Sequence, residues 1–229
     1  MNARLTRVAV LIDLSFFLDR YNAIRRDNDK PLVAADVAAA IRNTALAHLS
    51  WRRDELHRIF IYDCRPLEKR AHNPVTKRAV DFSRTSTFAF RTQLLSELVH
   101  MRKVALRLGE LADRKRWRIR PEATRRLLGG AMQLQELTEK DVAYDVEQKG
   151  VDVKIGLDIA ALAYKRFVDR IVLVTGDSDF VPAAKLARRE GIDVILDPLW
   201  ATIAPSLVEH VDGLRNSWPQ PQRSISSSA

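Results

Sequence analysis

KGVDVKIGLDIAALAYKRFVDRIVLVTGDSDFVPAAKLARREGIDVILD, residues 149–197, decides the fold. Ile155, Ile159, Leu162 and Ala163 recur three and four apart, the spacing of one helix face. Ile171-Val172-Leu173-Val174 is an unbroken apolar run rich in β-branched residues, which suits a strand covered on both faces of a parallel sheet. Thr175-Gly176-Asp177-Ser178-Asp179 ends that strand. Phe180 to Glu190 then reads as a helix, with Pro182 in its first turn and Gly191 at its close, and Ile192 to Leu196 as a second buried strand. In such a strand–helix–strand unit, strand ends and the following helix starts share the carboxyl edge of the sheet, where open α/β folds bind ligands. Asp177 and Asp179 fall on that edge. Asp152 lies one turn before Ile155 and is expected on the same, sheet-facing side of its helix.

Working outward, Val8 to Ile12 is a short apolar run that opens the sheet, and Asp13 ends it, as a site acid or as the N-cap of the next helix. Ala34 to Leu49 reads as an amphipathic helix with Val37, Ala40, Ile41, Ala45 and Leu49 inward. Arg58 to Tyr62 is another buried strand, ended by Asp63, for which a turn role is favoured because Arg65 and Pro66 follow. Cys64, the single cysteine, reads as a small buried side chain. From Thr87 to Leu111 the pattern predicts one long helix, with Phe90, Leu94, Leu98, Met101, Ala105 and Leu108 on one stripe. Its other faces carry Arg91, Arg102, Lys103 and Arg107. That surface is either solvated or a grip for a phosphate backbone. Trp117 to Arg120 looks like a short strand, and Thr138 to Asp141 like a helix start. The expected organisation is a single domain over 1–216, a basic, mainly helical insertion at about 65–116, and a disordered tail over 217–229.

The whole chain narrows the partners. Its 229 residues carry 38 Lys plus Arg against 29 Asp plus Glu, for a net charge of +9 that favours a polyanion. No apolar run approaches the roughly 20 residues that cross a bilayer, so no membrane partner is expected. One cysteine excludes a disulfide framework and a thiolate metal site, and a reducing cytoplasm is the expected compartment. The five histidines show no paired metal spacing and read as surface or packing residues, which sets zinc aside.

Carboxylates converging from separate segments raise one another's pKa unless a cation sits between them. Hard oxygen donors suit Mg²⁺ or Mn²⁺, which keep several waters and bind phosphates directly. Such ions activate water and neutralise charge in phosphodiester cleavage, while a basic surface holds the strand. Lys149, just before the acidic helix, is placed to meet a phosphate oxygen or to remain solvated. A dehalogenase-type phosphatase would need an acid where Ser15 stands, and a P-loop would need a Gly-rich run ending in Lys-Ser/Thr, which is missing here.

Ile12-Asp13 after a buried strand, KGVDVKIGLDIA (149–160) and TGDSDFVPAAKLARREG (175–191) together resemble the NYN family, LabA-like branch, of PIN-like metal-dependent ribonucleases. The resemblance covers about half the chain, most closely 149–197. It implies a Rossmann-like parallel sheet with helices on both faces, an acidic metal site at its carboxyl edge, and RNA as substrate. Carried over by position, the acids are Asp13, Asp152, Asp158, Asp177 and Asp179. Asp152 and Asp158 are six residues apart, so they point about 120° from each other and stand about 9 Å apart along the axis. Asp152 is therefore the first choice, and Asp158 is equally placed to hold Lys154 or Lys165. Phe16-Phe17 occupy positions where the family commonly has a polar residue. That departure keeps a second expectation open, an RNA-binding or regulatory module with an inactive site. A homo-oligomer is compatible with either.

Overall fold

The computed structural model describes residues 4–25 and 30–221. Nine strands and seven α-helices follow one another along these residues. β1 (Thr6–Asp13) leads into α1 (Leu14–Ile24), then α2 (Ala34–Ala47) and β2 (Asp54–Cys64). The short strands β3 (Arg70–His72) and β4 (Ala79–Asp81) form a separate antiparallel pair. After α3 (Ser86–Val99) come β5 (Val104–Ile119), α4 (Pro121–Leu128), β6 (Val142–Lys149) and α5 (Val151–Tyr164). β7 (Arg170–Val174), α6 (Val181–Arg189), β8 (Asp193–Asp197), α7 (Pro205–Val208) and β9 (Gly213–Leu214) complete the fold.

The main sheet has seven strands in the order β6-β5-β2-β1-β7-β8-β9. All neighbours are parallel except β6, which returns antiparallel along β5. This is the mostly parallel, doubly covered α/β sheet expected from the sequence. Alternate residues of each central strand serve opposite faces, which explains runs apolar at every position. Val8, Val10, Ile12, Ile59, Ile61, Val172 and Val174 pack with α1, α2 and α3. Ala9, Leu11, Phe60, Tyr62, Ile171 and Leu173 pack with α5, α6 and α7. Ile12 and Ile171 are fully buried, so truncating either to Ala should cost about 2–5 kcal/mol.

The order reverses between β1 and β7, so the crevice over their carboxyl ends is the topological switch point. Asp13 and Val174 end those strands.

Three sequence expectations need correction. The helix foreseen over Thr87–Leu111 stops at Val99, and Val104 to Gly109 instead pair in parallel with Ile59 to Cys64 of β2. Lys103 makes the break with φ 64°, a left-handed conformation rarely taken by a non-glycine residue. The segment at 65–116 is thus not a mainly helical insertion, because it supplies a strand of the central sheet. The Trp117 strand is the continuation of β5, and the helix start at Thr138 is a single 3-10 turn whose capping box closes on Asp141 before β6 begins.

The tail also differs at its start. Ser217 N donates to Asp197 Oδ2 at 3.2 Å, and Trp218 Nε1 to Thr44 Oγ1 at 2.8 Å, which docks the chain on the body of the fold. The rest of the foreseen tail, 222–229, lies outside the described residues.

β5 is the long element. Its first half lies in the sheet, and from Glu110 to Ile119 it leaves the carboxyl edge paired only with β6. At about 3.3 Å per residue the two-stranded ribbon extends roughly 30 Å. Where β6 ends, a Cβ on Gly109 would lie 2.4 Å from the Lys149 carbonyl oxygen, so the close approach of the strands there requires glycine.

Candidate active site

Five aspartates from four segments stand at the carboxyl edge. Asp13 ends β1 and caps α1 by accepting from Phe16 N at 3.1 Å. Its carboxyl is pushed up to about 6 by burial, against the pull of backbone donors, with Asp63 and Asp152 adding like charge. Asp177 follows β7 and accepts from Asp179 N at 2.9 Å, so the Thr175–Asp179 turn organises itself through its own acids. Asp179 is exposed, in the 3-10 turn that feeds α6.

Asp152 corrects an expectation. It lies in the first turn of α5 at the sheet edge, but it is solvent-exposed, and Val151 takes the buried position one turn before Ile155. Loss of solvent around the carboxyl, and then the charges of Asp177 and Asp179, push its pKa up. Electrostatically the acids form one chain, Asp63 and Asp152 acting on Asp13, and Asp177 and Asp179 on Asp152. Among the described residues, no three His, Cys, Asp or Glu side chains lie close enough together to hold a metal ion.

Asp158 is held from the sheet. It accepts from Tyr62 Oη at 2.9 Å and from Arg107 Nε at 2.8 Å, rather than pairing with Lys154 or Lys165. Burial and the Asp158 charge drive the Tyr62 hydroxyl well above its ordinary pKa. Arg107 also stacks over Phe60, with 5.1 Å from guanidinium carbon to ring centroid. The three residues anchor α5 to β2 and β5.

Asp63 is the residue undervalued by the sequence reading. It is 1% exposed and receives Arg91 Nη2 at 2.8 Å and Gln148 Nε2 at 3.4 Å on Oδ1, while Oδ2 is buried without a hydrogen-bond partner. Burial raises its pKa, opposed chiefly by Arg91. An acid at the end of a buried strand was the available signal, the same one that marks Asp13.

The basic group foreseen on one helix is dispersed. Arg91, on α3, is committed to Asp63. Arg107, on β5, is committed to Asp158. Arg102 and Lys103 form the turn before β5, with Lys103 reaching the Leu56 carbonyl and Glu55 near the start of β2, away from the acids. Lys149 is exposed at the end of β6, two residues before α5 begins. Phe16 packs against the Asp177 turn so closely that a Cβ on Gly176 would lie 2.7 Å from its ring.

With this geometry established, the sequence profile of the NYN domain matches residues 81–214, more than half of the chain. The chain belongs to the NYN domain family. Membership gives it the PIN-like nuclease fold of a family that is ribonuclease-like in general. The NYN match begins at Asp81, so β1 and β2, with Asp13 and Asp63, precede it and join its strands in the same sheet. No curated protein matches the chain. A solved structure of a protein of unknown function from Vibrio parahaemolyticus is similar at 16% identity, covering 94% of this chain and 95% of that one, with a TM-score of 0.44. Among the described residues of this NYN protein, no helix is long and apolar enough to cross a membrane.

The donors along this edge are all carboxylate oxygens, the type a hard divalent cation takes, and they include the buried, unpaired Oδ2 of Asp63.

Proposed function

We propose that this NYN protein is a metal-dependent ribonuclease that hydrolyses RNA phosphodiester bonds at its aspartate cluster. The observation that supports it most is the gathering of Asp13, Asp63, Asp152, Asp177 and Asp179 over the switch point of the sheet in a chain of net charge +9. A lone acidic patch would repel RNA. An acidic edge on a basic protein suits a cation shared between the carboxylates and a phosphate.

Asp13, Asp152, Asp177 and Asp179 would hold Mg²⁺ or Mn²⁺, with Asp63 behind Asp13 and Asp158 keeping α5 in place through Arg107 and Tyr62. Bound there, the ion would supply an activated water and charge neutralisation at the scissile phosphate. Asp13 comes from the rigid end of β1, whereas Asp152 and Asp179 are exposed and free to adjust their rotamers. Asp177, fixed by its bond to Asp179 N, sets the height of the turn. Lys149, exposed at the end of β6, would meet a non-bridging phosphate oxygen. Phe16 packs on Gly176, next to Asp177.

Phe16 also favours a second reading. A bulky ring against Gly176 fills space that substrate would otherwise use, which suits an RNA-binding or regulatory module with an inactive site. One experiment separates the two. End-labelled single-stranded RNA is incubated with the protein in Mn²⁺ or Mg²⁺, with chelator, and with Asp177→Asn. Cleavage that needs metal and Asp177 supports the enzyme, and intact RNA retained on the protein in every condition supports the module.

A further inference from the structure

The β5–β6 ribbon, the turn after β4 and the start of α3 enclose a cavity of about 600 Å³ that the nuclease reading leaves unused. Its wall carries Phe82, Trp117 and Tyr144, whose ring centroids lie 5.3–6.2 Å apart and none of which is fully buried. Guanidinium groups join them from Arg65, Arg91 and Arg120. Arg91 is held by Asp63, whereas Arg65 and Arg120 have no carboxylate within ion-pairing distance among the described residues. Two lining residues tie the cavity to the acid site. Arg91 and Gln148 both bond to Asp63 Oδ1, at 2.8 and 3.4 Å. Gln148 reaches Ser15, two residues past Asp13, at 3.1 Å as well.

We propose that this cavity is a base-binding subsite, taking one nucleobase of a single-stranded nucleic acid whose backbone passes the aspartates. The proposal rests on the RNA reading above and adds the means of holding the strand. Partly exposed aromatic rings offer flat faces to a base, and stacking of this kind is how proteins commonly hold unpaired nucleotides. The volume falls in the range of small-molecule pockets. Arg65 and Arg120 are exposed at the cavity without carboxylate partners, and a nucleotide brings its own phosphates to them. Because Gln148 and Arg91 belong to both cavity and acid site, a base seated on Trp117 has its sugar–phosphate chain directed toward Asp63 and Asp13.

The test reads binding apart from cleavage. Labelled single-stranded RNA is titrated with the full-length protein in chelator and followed by fluorescence anisotropy. Trp117→Ala is expected to weaken binding by roughly 5- to 150-fold, the usual effect of removing one stacking ring, and Trp117→Phe to keep most of the affinity. In parallel, RNAs with one abasic nucleotide at each position in turn are titrated against the wild type. One position should show a comparable loss, and that loss should vanish in Trp117→Ala. If the wild type binds RNA but a folded Trp117→Ala binds equally tightly, the subsite is overturned while the RNA reading stands. An abasic scan with evenly spread losses overturns it too, and decides alone if Trp117→Ala does not fold. A wild type that binds no RNA overturns both readings.

Discussion

Arg91 on α3 donates to the Oδ1 of Asp63 at the end of β2, 2.8 Å away, and is the main force opposing the upward pull of burial on that acid. Removing one partner of a buried pair leaves an uncompensated charge, which costs about 3–5 kcal/mol. Arg91→Met should therefore destabilise the protein by roughly 3 kcal/mol at pH 7.5. Asp63, already raised and now raised further, is accommodated once protonated, so the deficit should shrink as pH falls toward 4. Urea titrations at the two pH values check this, and adding Asp63→Asn should recover much of the loss at pH 7.5.

Asp13 gives a pH dependence of its own. A carboxyl moved from 3.8 to about 6 carries on the order of 3 kcal/mol. Its folded-state pKa is raised, so the stability it contributes is fully present below pH 3.8 and is lost as pH rises through 6. Asp13→Asn keeps a side chain able to cap α1 and removes the ionisation. Without added divalent metal, the variant should melt higher than the wild type at pH 7.5 and the same at pH 4. A wild-type melting temperature that is flat from pH 4 to 7.5 would contradict the prediction.

Divalent metal should act in the stabilising direction. An ion bound only by the folded state at one hundred times its Kd adds about 2.7 kcal/mol. Mn²⁺ or Mg²⁺ should raise the wild-type melting temperature, chelator should cancel the gain, and Asp177→Asn should lose most of it. Calorimetry with a Ca²⁺ control measures the effect. A wild type indifferent to millimolar Mn²⁺ would favour the binding module.

The basic residues separate by position. Lys149→Gln should weaken RNA binding alike for all sequences and lower the salt slope by about 1, as expected for one lost phosphate contact. Arg102→Gln, at the turn before β5 and away from the acids, should leave both affinity and slope unchanged. Equal losses from the two substitutions would mean that RNA lies along a different face.

Much of this was legible in residues 149–197, where the shift from helical spacing to β-branched runs placed α5, β7, α6 and β8 and put Asp177 and Asp179 on the carboxyl edge. Three local features hid the rest. Met101, Ala105 and Leu108 continue the helical spacing of Leu94 and Leu98, so the break at Lys103 was invisible because its left-handed backbone uses no glycine. Val104-Ala105-Leu106, read alone, is an apolar strand run. Asp152 stands three residues before Ile155 and Val151 four, and spacing alone could not say which turns inward. Asp63 looked like a turn residue because its partner Arg91 is distant in sequence and was assigned to an RNA-facing surface.

The ribbon formed by β5 and β6 makes the distance between cavity and acids adjustable in steps. The same strand that pairs with β2 up to Gly109 carries Trp117 eight residues later. Side chains alternate along it, so removing one residue from each strand would turn Trp117 and Tyr144 to the opposite face. Removing two from each would keep both rings on their side and draw them about 7 Å toward Asp13. The ribbon thus acts as a ruler with two-residue graduations, and a variant shortened in this way would change which phosphodiester lies over the aspartates without altering any residue of the cluster.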